Sequence, residues 1–108
     1  MSKGTRKEGK KMTRKFKDHP YAQACVIECD DGYKALQSYE TMIAEVDTEG
    51  WLKILTLENP NTGELSHTTI RHLGWFMREL GFTYQLAKVL YYDNKEMNIY
   101  TGEVINHD

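Results

Sequence analysis

Long apolar runs are missing from this 108-residue chain: nowhere do more than a few apolar residues follow one another. A membrane-spanning helix needs about 20 in a row, so none is expected. The charged N-terminal stretch has no apolar segment behind it, which excludes a secretory signal and points to a cytoplasmic protein. Cysteine occurs only twice, at Cys25 and Cys29. In a strand these would stand about 13 Å apart at roughly 3.3 Å per residue. A disulfide needs Cα atoms within about 7 Å, so no bridge between them is expected. Internal repeats are lacking, as are a Walker loop, a dinucleotide fingerprint, a Gly-x-Ser-x-Gly elbow and a His-Glu-x-x-His pair. The sequence therefore makes no positive case for an enzyme, and no cofactor is implied.

One metal constellation has to be weighed. Cys25-x3-Cys29 and His67-x4-His72 each have spacings found in zinc sites, yet the gap between the pairs far exceeds that of a compact finger. The expectation is no metal site. His72 with Glu79 two turns later could face a cleft, but a histidine hydrogen-bonded to a neighbouring strand or loop is the simpler reading.

What the chain does have is a division of charge. The formal net charge of −2 averages two unlike pieces. Residues 1–18 hold eight Lys/Arg against Glu8 and Asp18, a net +6; the other ninety hold six against fourteen acidic residues, a net −8. With only Met1, Met12 and Phe16 apolar in it, residues 1–18 read as a disordered basic arm. Lys10, Lys11, Arg14 and Lys15 are its candidate nucleic-acid-binding residues, because mobile cations can contact phosphates without reading sequence. A solvated tail resting on the acidic body is the alternative. A membrane is not an expected partner, since the arm has no amphipathic stripe.

Residues 19–108 read as one α+β domain, a small and mostly antiparallel sheet packed by one amphipathic helix. Alternation over 23–30 puts Cys25, Ile27 and Cys29 on one strand face. Residues 33–47 form one bent strand or two short ones, and 51–57, apolar on both faces, a central strand covered on both sides. Asp31-Gly32, Asp47–Gly50 and Asn59–Gly63 are turns or loops. The helix runs over about 68–80: Ser66 or Thr68 caps it, Ile70, Leu73, Met77 and Leu80 form its core stripe, and Gly81 sits at C′. Beyond it, Phe82, Leu86, Val89 and Leu90 fit a second short helix, but residues 89–100 are read as a hairpin in which Tyr91, Tyr92 and Tyr100 gather.

Opposite that stripe, Arg71, Trp75 and Arg78 cluster at i, i+4 and i+7. Trp and Arg are the types enriched at binding hot spots, so these three are the candidate partner-binding residues. Cover of Trp75 by another part of the chain, or by a homodimer mate, are the competing readings.

Two segments carry a resemblance. Leu36-Gln-Ser-Tyr-Glu-Thr-Met-Ile-Ala44 and Ser66-His-Thr-Thr-Ile-Arg-His-Leu-Gly-Trp-Phe76 resemble a group of small uncharacterised proteins of phages and mobile elements in Gram-positive bacteria. Ser38, Tyr39, Thr41, Ile43, Ala44, Ser66, Thr68, Thr69, His72, Phe76 and Gly81 match its pattern, over roughly residues 33–82. The resemblance carries no established activity; it implies a phage accessory protein in the cytoplasm of a bacterial host cell. Small acidic proteins in that setting include inhibitors of host defence, anti-CRISPR proteins among them. The expectation is a non-catalytic binding protein engaging a host protein or nucleoprotein. The alternative is a nucleic-acid-binding accessory protein acting through its basic arm.

Overall fold

A computed structural model describes residues 10–57 and 67–106 of the chain. Among these, seven strands form one antiparallel sheet in chain order, β1 (Lys11–Lys15), β2 (Ala24–Cys29), β3 (Lys34–Ser38), β4 (Thr41–Val46), β5 (Trp51–Ile54), β6 (Lys95–Asn98) and β7 (Val104–Asn106). Two helices, α1 (His67–Leu80) and α2 (Tyr84–Tyr92), lie in chain order between β5 and β6. α1 packs on β3 and β4 and α2 on β5 and β6, so both cover the same sheet face in a two-layer α+β arrangement.

Alternation along β2 explains which face is covered. Ala24 and Val26 are buried toward the helices, while Cys25, Ile27 and Cys29 share the other face, half-buried, with no disulfide between the two thiols. The cross-strand partners of Val26 and of Leu36 continue the inner face through Ala44 to Ile54. Leu52, Leu73, Phe76, Met77, Leu90 and Met97 complete a core in which most side chains are almost fully removed from water. The expected turns form where glycine permits positive φ: Gly32 follows Asp31 at φ 102°, and Gly50 closes the β4–β5 turn at φ 96°. In that turn Asp47 Oδ1 accepts from the amides of Glu49 and Trp51.

The structure decides between the two readings of residues 33–47 and revises other expectations. The segment read as one bent strand or two is two strands, parted by a tight turn at Tyr39-Glu40 and offset by a bulge at Leu36/Gln37. β5 stops at Ile54, and the helices cover only one of its faces; Trp51 and Lys53 stand half-buried on the other. The hairpin over 89–100 is replaced by α2 followed by β6. Thr83 caps α2 by accepting from the Leu86 amide, and Ala87 and Leu90 are buried under it, so capping and a core-facing stripe outweigh the β-favouring tyrosines. The body therefore has two helices among its described residues, where one was expected.

The basic segment is revised as well. Residues 11–15 are not a free arm: β1 pairs with β2 from Lys11↔Cys29 to Lys15↔Cys25, and Phe16 is 3% exposed in the core. Backbone pairing with β2 and burial of Phe16 supply the ordering that so few apolar residues could not. Residues 1–9 of the expected arm lie outside the described residues, as does Ser66, one of the two expected helix caps. The other, Thr68, falls inside α1.

The end of α1 follows the sequence closely. Gly81 takes φ 93°, with its amide on the Arg78 carbonyl (3.0 Å) and that of Phe82 on Met77 (2.8 Å), a Schellman closure. The core stripe itself is turned relative to expectation. Thr69, His72, Leu73, Phe76 and Met77 are buried, and Ile70 and Leu80 sit at its margins. A polar histidine does not count toward an apolar stripe, which is why the sequence placed the centre too far round the helix.

Candidate partner-binding surface

The site begins with β1 as the edge strand of the sheet. Alternation sends Lys11, Thr13 and Lys15 to the open face, and Met12 and Arg14 to the face that carries the helices. Arg14 then meets α1: its Nε lies 3.0 Å from Glu28 Oε1 and its Nη2 2.7 Å from Glu79 Oε1. The hydrogen bonds from Arg14 hold the Glu28 carboxyl below the ordinary carboxylate range. Arg14 is thus committed to two carboxylates of its own chain and is not a free phosphate contact.

Past β1 the chain turns under the helix. The amide of His19 donates to the Phe16 carbonyl (3.0 Å), and Lys15 Nζ donates to the Ala22 carbonyl (2.8 Å). This lays the His19 ring flat on Trp75, with centroids 3.6 Å apart and planes 5° from parallel, while Phe16 meets Trp75 edge-on at 5.5 Å. Trp75 is half-buried as a result. Of the readings open to it, cover by another part of the chain is the one observed. Arg71 and Arg78, on the helix side turned away from the core, remain exposed.

Beneath this aromatic stack His72 Nδ1 lies 2.7 Å from Ser38 Oγ, with Ser38 2% and His72 3% exposed. The two motif segments, thirty-four residues apart, are joined at this bond. Burial lowers the His72 pKa below its ordinary 6.5, and the positive charges of Arg71, His19 and Lys15 lower it further. The unfolded chain therefore takes up a proton on His72 at a pH where the folded chain does not. Stability from this site is full above about pH 6.5 and is lost as pH falls through the lowered folded value. Thermal melts between pH 7.5 and 5 are expected to show the melting temperature falling, and falling less in His72→Gln.

The geometry also separates groups that the sequence left together. His72 lies under α1, whereas Cys25 and Cys29 occupy the far face of the sheet, so the loose zinc constellation does not converge; His67 is exposed at the first turn of α1. No cluster of three metal-ligating side chains occurs among the described residues. Tyr91 and Tyr92 sit on the last turn of α2, edge to face at 5.2 Å, and Tyr100 lies in the β6–β7 turn over Gly50. A cleft of about 250 Å³ opens where β5 and β6 part, lined by Lys53, Leu55, Leu90, Tyr91, Asn94 and Lys95, on the side of the sheet remote from β1.

Two tyrosines that were not among the candidate contact residues belong to the β1 side. Tyr21, in the β1–β2 connection, is 94% exposed, and Tyr39, at the β3–β4 turn, is 57% exposed. The Tyr39 amide donates to the Gln23 carbonyl (2.7 Å), which ties the two connections together, and its ring lies 6.1 Å from that of His72. Tyr39 sits at φ 56°, a region costly for a residue with a Cβ. Its place in the Ser38-Tyr39-x-Thr41 motif was its signal in the sequence.

Residues 8–100 match the family model described as "Family of unknown function (DUF8033)". The chain belongs to this family. The matched span takes in β1 through β6, so the edge strand and its contacts with α1 are family territory and not an appendage. No curated protein and no solved structure matches the chain. No helix among the described residues is long and apolar enough to cross a membrane.

Proposed function

We propose that the protein is a non-catalytic binding protein, carried by a phage or mobile element, that engages a host protein or nucleoprotein in the bacterial cytoplasm. An anti-defence inhibitor is the role such a setting suggests. One observation carries the reading: the Arg71, Trp75 and Arg78 side of α1 and the basic β1 segment with the connection after it, read from the sequence as two separate sets, adjoin at one edge of the sheet. The Arg14–Glu79 pair and the His19–Trp75 stack bring them there. Exposed arginines beside a half-buried aromatic anchor are the composition of an interface centre.

The test is retention of a partner from bacterial lysate by the full chain, by Arg71→Glu/Arg78→Glu, and by Lys53→Glu on the remote side. Loss with the double variant alone is expected. Equal retention by all three would remove the edge from the reading.

A further inference from the structure

Resting on that reading, we infer that the β1–α1 edge seats single-stranded nucleic acid, with phosphates on Lys15, Lys17 and Arg71 and bases against Tyr21 and Tyr39. Charge is the first ground. Lys15, Lys17, Arg71 and Arg78 are all exposed, and Lys15 and Arg71 both stand close enough to His72 for their charges to act on it. Glu28 and Glu79, the carboxylates between β1 and α1, are both taken by Arg14, and Asp18 and Glu40 are the exposed acids of the two connections. Arg14 thereby keeps those two carboxylates from the other cations. A chain of phosphates complements such a row.

The rings are the second ground. Tyr21 and Tyr39 stand in water at the end of the sheet where β1 runs into Lys15 and Lys17, on connections held together by the Tyr39–Gln23 backbone bond. Every base has a face to lay on such a ring, and bases stacked inside a duplex cannot offer it, so the geometry favours a single strand. An acidic protein strand added to β1 fits less well. Three of the five β1 residues are Lys or Arg, the composition that guards a sheet edge against strand addition.

The experiment is fluorescence anisotropy of an oligothymidine of about twelve nucleotides with the full-length protein. Neutralising about three phosphates at roughly 0.7 counterions each predicts a Kd that rises about 20-fold between 50 and 200 mM salt. Tyr21→Ala is expected to weaken binding at least about 5-fold, the loss of one stacked base, with the circular dichroism spectrum unchanged. Lys17→Glu/Arg71→Glu is expected to weaken it more than about 10-fold. Absence of binding at 50 mM salt, tighter binding to a duplex of equal length, or no effect of Tyr21→Ala would each overturn the inference. A protein partner held through Arg71 and Arg78 after nuclease treatment, with no oligonucleotide binding, would overturn it while leaving the broader binding function standing.

Discussion

Trp75→Ala is expected to lower the unfolding free energy by about 2–3 kcal/mol, read as a lower urea midpoint with an unchanged slope. Removing a fully buried Trp costs about 3–5 kcal/mol, and Trp75 is half-buried, which places it below that range. The loss is also one of connection. The Trp75 ring lies against His19, Phe16 and His72, so it joins the β1–β2 connection to α1. Without it that join is left to the exposed Arg14–Glu79 pair, whose kind is worth about 0–1 kcal/mol. Trp75→Phe, keeping an aromatic ring near Phe16, should recover part of the loss. A change below about 0.5 kcal/mol in Trp75→Ala would mean that the stack adds nothing to the fold and that the ring is free to serve a partner.

Asn98→Ala should cost about 2–3 kcal/mol by the same measurement. Asn98 is 7% exposed, and its side chain serves two turns at once. Its Nδ2 donates to the Glu49 carbonyl (3.0 Å), and its Oδ1 accepts from the amides of Tyr100 (2.9 Å) and Thr101 (3.2 Å). Alanine would strand these backbone groups, each costing about 1–3 kcal/mol where water cannot reach it. The turns border solvent, so part of that cost is relieved. A local reading checks the cause: the Tyr100 and Thr101 amides should exchange faster in the variant, while amides of β2 and β3 change only with global stability. Unchanged exchange at these two amides would assign the loss to packing instead.

Alternation over Ala24–Cys29, the glycine-marked turns and the C′ glycine after Leu80 were legible because each depends on residues only a few positions apart. A strand's faces follow its own period of two, and a Schellman closure needs only a residue free to take positive φ at the helix end. That locality also explains what was misread. Residues 84–92 hold β-favouring tyrosines, and only the burial of Ala87 and Leu90 beneath the sheet partner, with the Thr83 cap, makes them a helix. β1 carried too little apolar surface to be seen as ordered, because its order comes from β2.

The candidate edge divides the same way. Arg71, Trp75 and Arg78 share one side of α1 by helical period alone, and the surplus of cations before residue 18 is plain in the composition. That the two sets adjoin, that Arg14 is spent on Glu28 and Glu79, and that Trp75 is covered by His19 are matters of contact across 14 to 65 residues of chain. The sequence by itself determined an α+β body, a long helix with a glycine stop and a chain divided between basic and acidic parts. Only the tertiary structure decided which charges are free, because a charge is available to a partner only if its own fold has not already paired it.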